Sequence, residues 1–529
     1  MNSAKIFSGT MASVLLFAFC LGCYALMAYG GIRTADGEIV YRTGEALATT
    51  GSLALDEDMA GWRGFAVATG VDGRLYSVFA PGQSILMAPF IRLGLAVNQT
   101  RWYESGRFAV PVSFTVDEDS LKDYFFNRRP AYPEKHARRF VTSFFNAVVT
   151  ALVAVTFFFV LRHLAVSIPA ALAAALLLGL ATPLWSYAGT MFKEPLTMLW
   201  TLVAFDCLIR NDPDAGAAGK NLSRLFLAGL WIGLGFFTHT TVILFVPFFF
   251  AYGVYPFVKS SGHGLNRPAA AALVFIAGFS LFTSVFCWLN YTRFGSILQT
   301  GRSMSPVAYG AVVAPWEGLA GLLVSPGKGL LLFCPIVLAG IVCWPRFHPS
   351  HRFLSTTLVA MIAFRWVFIS CFSDWHGGFC LGPRHLLPVV PFFLIPVAFY
   401  LSEWFAADQR RTGGMKIPAA IFFSACVIQQ IYFCLGEPIS FYYLLKQYGL
   451  ERGVSIISDN SIYFQWRASP LFYLLEANRG PFLLKHVPLD NYRLFLMAVA
   501  VMALTVFLIF ILVRMLCQTR SRPLGPSTP

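Results

Sequence analysis

Apolar stretches of about 17–25 residues, each long enough to cross a bilayer as a helix, recur along most of this chain and leave little room for any other fold. Proposed cores begin near Ile6, Phe140, Ile168, Pro195, Leu225, Thr241, Pro268, Gly329, Phe353, Leu386, Ile417 and Leu494. The reading is an all-α polytopic membrane protein of about twelve transmembrane helices, with 1–529 forming one transmembrane domain. Charged residues make up 12% of the chain and hydrophobic ones 57%, against about 25% charged in soluble domains. The first run, Ile6 to Tyr29, exceeds a signal-peptide core and lacks a small-x-small cleavage site, so it reads as a retained helix. The eleven cysteines follow neither a zinc nor a disulfide spacing, and several sit inside apolar runs as small hydrophobes.

The net charge of +14 is distributed by face. With twelve spans, one set of short loops carries Arg162, Arg210, Lys220, Arg224, Lys259, Arg267, Arg346, Arg352, Arg410, Arg411 and Lys416, with Arg514, Arg520 and Arg522 in the tail. That is the positive-inside pattern, which puts both termini in the cytoplasm and makes nucleic acid an unneeded explanation of the charge. The opposite face carries long loops near 30–139, 290–328 and 437–493, together with nearly all the acids. Within the first, "PGQSILMAPFIRLGLAV" (Pro81 to Val97) is too short to span and reads as an interfacial helix. Loops this long on one face point to chemistry there.

Polar residues on that face supply the candidates. Asp36 and Glu38 stand two apart where the first span ends, with no obvious local cation, as a possible proton-accepting pair. Glu194 opens the fourth span in "FKEP" beside Lys193; by itself it is also an ordinary N-terminal helix acid. "SDWHGGFCLGPRHLLP" brings Asp374, Trp375, His376, Arg384 and His385 around Gly377, Gly378 and Gly382. Glycines let backbone approach a ligand and an arginine fork suits a phosphate. Lys328 opens a span on the outer side, and Arg293 and Arg302 follow the seventh span. Arg365, inside the ninth span, is a functional candidate by default, with pairing to a carboxylate or carbonyl as its plain alternative. No metal-ligand spacing is present.

Taken in order, "ADGE", "DGRLYSVFAPGQSILMAPF", "FKEP", "NYTRFGS", "SPGKGLLLFCP" and "DWHGGFCLGPRHLLPVVP" resemble the bacterial GT-C superfamily of membrane glycosyltransferases. The nearest branch is that of protein O-mannosyltransferases, lipid A aminoarabinose transferases and rhizobial lipopolysaccharide sugar transferases. The resemblance covers about Asp36 to Pro391 and leaves Glu437 to Arg493 unmatched. It implies transfer, with inversion, of a sugar from a polyprenyl-phosphate donor to a lipid, glycan or protein acceptor. The expected setting is the periplasmic or exterior face of a bacterial inner membrane. It makes Asp36 the general base with Glu38 in support. Glu194 would shape the acceptor or metal site, and Arg384 and Lys328 would hold the lipid phosphate. Arg293, Trp375, His376 and His385 complete the expected substrate-binding set; a divalent metal is left open. "APGQ" (Ala80 to Gln83) replaces a proline pair with a nearby lysine found in some relatives, and "TGRS" (Thr300 to Ser303) stands where Gly-Tyr is frequent. The rival class is a transporter or lipid flippase, which would place ionisable residues at the midplane of repeated halves. No repeat is visible here.

Overall fold

The computed structural model describes residues 3–28, 30–32, 34–63, 66–100, 136–210, 218–260, 266–302, 311–406, 409–436 and 460–474, with single positions at 438, 441–442, 445 and 503. Every proposed core before Glu437 falls on a helix; the core near Leu494 and most of 437–493 lie outside the described residues.

Among the described residues seven helical segments are long and apolar enough to cross a membrane: Gly9–Leu26, Ala137–His163, Thr240–Lys259, Asn266–Phe294, Arg352–Ser370, Arg384–Ala406 and Ile417–Leu435. Ile168–Leu180 and Leu222–Thr238 are apolar but shorter. The chain is thus an α-helical integral membrane protein. Two further expected cores differ from a simple span. The one near Pro195 is a helix of 16 residues, about 24 Å at the α-helical rise, against a hydrocarbon core of about 30 Å. The one expected from Gly329 is broken, because Leu330–Phe333 stops at Cys334 (φ −138°) and a second helix, Ile336–Phe347, starts after Pro335. Pro335 cannot donate the amide hydrogen bond that would continue the first piece.

The elements that position the polar cluster are few. Helix α1 (Ser3–Leu26) leads into α2 (Ala35–Thr50). The stretch that reads as a polar loop is therefore helical, capped by Thr34 Oγ1, which accepts from Gly37 N at 2.9 Å. It is closed by Gly51 at φ 73°, where glycine avoids the Cβ clash. Asp36 and Glu38 in its first turn suit the helix dipole. A small antiparallel sheet follows, in the order β1–β3–β2, from β1 (Ala54–Leu55), β2 (Val67–Thr69) and β3 (Leu75–Ser77). The Pro81–Val97 stretch is helical as expected, as α3 (Gly82–Asn98), and its Ser84 Oγ donates to Val40 O of α2 at 2.8 Å. Gln83, Met87 and Ile91 are buried while Arg92 and Leu93 face out.

Helices α4 (His136–Ser143) and α5 (Phe145–His163) form the second long segment; α6 (Ile168–Leu180) and the short α7 (Leu184–Ala188) pack on it. Helix α8 (Glu194–Ile209) runs beside α5 and α9 (Ala218–Thr238). After Thr238 the chain turns at His239, whose Nδ1 accepts from Thr241 N, so the expected break between the fifth and sixth spans is present. Helix α10 (Val246–Ser260) follows, and α9 packs closely on α11 (Asn266–Phe294), where Gly229 and Gly278 each lie against backbone of the facing helix. In hydrocarbon, where apolar side chains gain little from burial against one another, such close backbone approach is what holds helices together.

Candidate active site

Three segments far apart in sequence meet at one partly buried arginine, Arg384. The first is the N-terminal turn of α2, which carries Asp36. Gly37 makes the approach possible: a Cβ there would lie 2.7 Å from Met191 Cβ. The second is the 189–193 turn ahead of α8. Asn146 Nδ2 donates to Thr190 O and Phe192 O, both at 2.7 Å, and Gln83 Nε2 donates to Met191 O at 3.0 Å. Those bonds fix the backbone from which Phe192, Lys193 and Glu194 project.

The third is the glycine-rich loop of 374–384. Gly377, Gly378 and Gly382 have φ of 72°, 74° and 56°. Lys328 threads beneath them. Its buried Nζ donates to Gly378 O at 2.7 Å and Cys380 O at 2.6 Å, and lies 4.2 Å from the Tyr442 ring centroid. Burial pulls Lys328 down to about 8. Lys328, expected as a cation for the lipid phosphate, turns its ammonium to these loop carbonyls. Trp375 Nε1 donates to Glu317 Oε1 at 2.9 Å, and His376 stacks on Tyr463 at 4.5 Å. Burial first, then Lys328 and Arg384, lower His376 to about 3. It is therefore neutral at working pH, consistent with Nδ1 accepting from Gly378 N at 2.9 Å.

At the end of that loop Arg384 Nη1 donates to Asp36 Oδ2 at 3.2 Å, and its Nε stands 3.6 Å from Glu194 Oε1. Its guanidinium lies 4.7 Å from the centroid of Phe192. Glu194 is 5% exposed, and its Oε2 has no hydrogen-bond partner among the described residues. A planar cation shared by two carboxylates on a ring face keeps the acids close without letting them repel each other. His385 belongs to the adjoining layer. Its carbonyl accepts from Arg365 Nε at 2.7 Å, and Arg365 also donates to Thr241 O at 3.2 Å. The cation inside the ninth span is thus satisfied by carbonyls.

Glu38 and Arg293 sit elsewhere. Glu38 is buried in an ion network where Arg139 bridges both its oxygens at 2.6 and 2.7 Å and Arg42 Nε donates at 3.1 Å. Glu45 completes the network through Arg42 and Arg138. Arg293 ties the end of α11 to the sheet, donating to Ser77 O at 3.3 Å and Asn290 Oδ1 at 2.9 Å. Two participants carried no distinct sequence signal: Phe192 as the platform under Arg384, and Arg139 as the partner of Glu38. Lys193 was visible only as the neighbour of Glu194. Among the described residues no three His, Cys, Asp or Glu side chains are grouped as a metal would need.

The loop geometry yields a direct test. Gly377 has a positive φ, and a Cβ there would come within 2.9 Å of Arg384 Cγ. Gly377→Ala is expected to lose ~1–2 kcal/mol from the backbone conformation alone and to displace Arg384. The measurement is the thermal midpoint in detergent; a wild-type value would contradict this account of the loop.

No protein-family profile and no curated protein sequence matches the chain. Among solved structures, the chain is similar to ArnT from Cupriavidus metallidurans bound to undecaprenyl phosphate, at 12% identity and a TM-score of 0.43, covering 90% of this chain and 78% of that one. It is also similar to the oligosaccharyltransferase of Archaeoglobus fulgidus in the apo form, at 14% identity and a TM-score of 0.49 over 93% of this chain. The same organism's AglB, in complex with an inhibitory peptide and a dolichol-phosphate, aligns at 10% identity and a TM-score of 0.46 over 82% of this chain. The chain spans 60% and 56% of the lengths of these two archaeal proteins.

Proposed function

We propose that the protein is a GT-C-type glycosyltransferase that moves a sugar, with inversion, from a polyprenyl-phosphate donor to a lipid, glycan or protein acceptor at the non-cytoplasmic face of a bacterial inner membrane. The observation that carries this reading is the Asp36–Arg384–Glu194 cluster, in which one partly buried cation is shared by two acids from the first turns of separate helices. Asp36, a quarter exposed, is the member that a substrate can reach.

In the reaction, the acceptor hydroxyl or amine attacks the anomeric carbon and gives its proton to Asp36. The bond from that carbon to the phosphate oxygen breaks, and the oxygen leaves with the electron pair. Arg384 orients Asp36, and its remaining N–H groups face the charge that grows on the leaving phosphate. A well-placed donor of this kind is worth ~3–4 kcal/mol in the transition state, and the base about 10²–10⁴-fold. Glu194, buried behind Arg384, holds the guanidinium in place from the protein side. Lys328 and His376 act one step back, by shaping the loop that delivers Arg384.

The deciding experiment is transfer in proteoliposomes from a panel of radiolabelled polyprenyl-phosphate sugars. Product formation that requires Asp36 supports the reading. Movement of the lipid across the bilayer with no sugar transferred by the wild type supports the flippase instead.

The orientation has its own test. In a background lacking the eleven native cysteines, Glu57→Cys should react with an impermeant thiol reagent on intact cells. Ser223→Cys should react only after permeabilisation. The reverse pattern would move the cluster to the cytoplasmic face.

A further inference from the structure

The stretch 437–493 has no counterpart in the family resemblance, yet its described residues grip the glycine-rich loop. Asn460–Phe464 and Trp466–Ala468 are short 3-10 turns, followed by the small helix Pro470–Tyr473. That helix is fastened to the C-terminal end of the span Ile417–Leu435: Tyr432 OH donates to Pro470 O at 3.3 Å and accepts from Leu474 N at 3.2 Å. From this base the segment holds the turn that carries Lys328. Ser469 Oγ donates to Pro326 O at 2.6 Å, Gly327 N donates to Tyr463 O at 2.8 Å, and Tyr442 OH donates to Gly327 O at 2.9 Å. All three backbone polar groups of Pro326 and Gly327 are satisfied in this way.

The ring of Tyr463 presses on the glycine-rich loop itself. It stacks on His376 with centroids 4.5 Å apart, meets Trp375 edge-on at 5.9 Å, and lies 5.3 Å from the Lys328 ammonium. Asn460 Nδ2 donates to Ser373 O at 3.1 Å, just before that loop. Tyr463 is 1% exposed, and its hydroxyl makes no hydrogen bond. The position therefore uses the two faces of the ring, while the hydroxyl returns nothing for its burial.

On the glycosyltransferase reading, we infer that Tyr463 is a positioning residue of the site: its ring, carried by the 460–474 segment, fixes Lys328 and His376 in the arrangement that delivers Arg384 to Asp36. Two routes of contact lead from the ring to Arg384. Through Gly327 it sets the turn from which Lys328 reaches Gly378 O and Cys380 O. Through His376 it sets the Nδ1 that accepts from Gly378 N at 2.9 Å. Both routes end on the loop whose Gly377 lies against the Arg384 side chain. A close-packed interior transmits such displacements.

Tyr463→Leu keeps an apolar side chain and loses the stack. Transfer per folded protein, with the folded fraction taken from size-exclusion, is expected to fall about tenfold or more, since a misplacement of ~1 Å can cost ~10²-fold. Tyr463→Phe should restore transfer, because the missing hydroxyl has no partner. Placed in Arg384→Ala, Tyr463→Leu should cost less than about twofold, because a residue acting through Arg384 has nothing left to position. An equal loss in both backgrounds overturns the inference, as does a loss in Tyr463→Phe as large as in Tyr463→Leu. Should Tyr463→Leu not accumulate, Gly327→Ala opens the contact from the other side and is read in the same way. A Cβ at Gly327 would lie 3.0 Å from the Cα, carbonyl oxygen and ring of Tyr463.

The hold on the loop can also be followed without turnover. His376 is lowered to about 3, chiefly by burial, and removing the Tyr463 ring uncovers it. Exchange of its imidazole C2 hydrogen passes through the imidazolium and is read by peptide mass spectrometry. It should quicken at least about tenfold in Tyr463→Leu, one pKa unit regained being tenfold in the charged fraction. An unchanged exchange rate at His376 overturns the inference. A quickened rate with no transfer by any form, the wild type included, supports the hold on the loop and overturns the enzyme reading alone.

Discussion

Replacing Asp36 by asparagine is expected to lower sugar transfer by about 10²–10⁴-fold while leaving the folded protein in place. Asparagine keeps the size and an oxygen able to accept from Arg384, but it takes no proton at neutral pH. The carboxylate is a quarter exposed, so the stability change should stay within ~1 kcal/mol. The informative comparison is with Glu38→Gln. Glu38 is bridged by Arg139 and Arg42, so its loss should appear first as a lower thermal midpoint, with the remaining folded enzyme turning over. Transfer at the wild-type rate by Asp36→Asn would remove the catalytic reading. Equal, purely thermal effects of the two changes would reduce the pair to a structural role.

The second large effect concerns Arg384. Arg384→Ala should cost ~3–5 kcal/mol of stability, because it leaves the buried Glu194 carboxylate without its cation. It should also cost about 10²–10³-fold in transfer by the folded fraction. The two effects separate in the double variant. Adding Glu194→Gln removes the stranded charge, so the midpoint should recover by several degrees while activity stays low. Arg384→Lys should recover part of both, since it keeps the charge and loses the planar fork that meets two acids at once. A double variant as active as wild type would show that Arg384 serves only to neutralise Glu194.

The membrane character and most helix positions were legible because hydrophobic length is a local property. The break at Cys334–Pro335 was not, since an apolar window averages over one non-helical residue. At the site, Asp36, Glu194 and Arg384 could each be singled out by type and position, and the structure brings them together. Glu38 was harder. One of its cations, Arg139, lies 101 residues away in α4, and the other, Arg42, becomes its neighbour only when the stretch is wound into a helix rather than read as a loop. Lys328 was conspicuous as a cation on an acidic face, but its direction, inward to two carbonyls, depends on a loop 50 residues on. Residue type marks what needs a partner, and only the fold says which partner it finds.

The Asp36–Arg384 bond joins residues 348 positions apart. At about 5–20 residues per second of synthesis, roughly 20–70 s pass between the appearance of the acid and that of its cation. Glu194 waits about half as long. During that interval the nascent chain carries two carboxylates whose cation has not yet been made. On the glycosyltransferase reading, activity therefore switches on late in biogenesis.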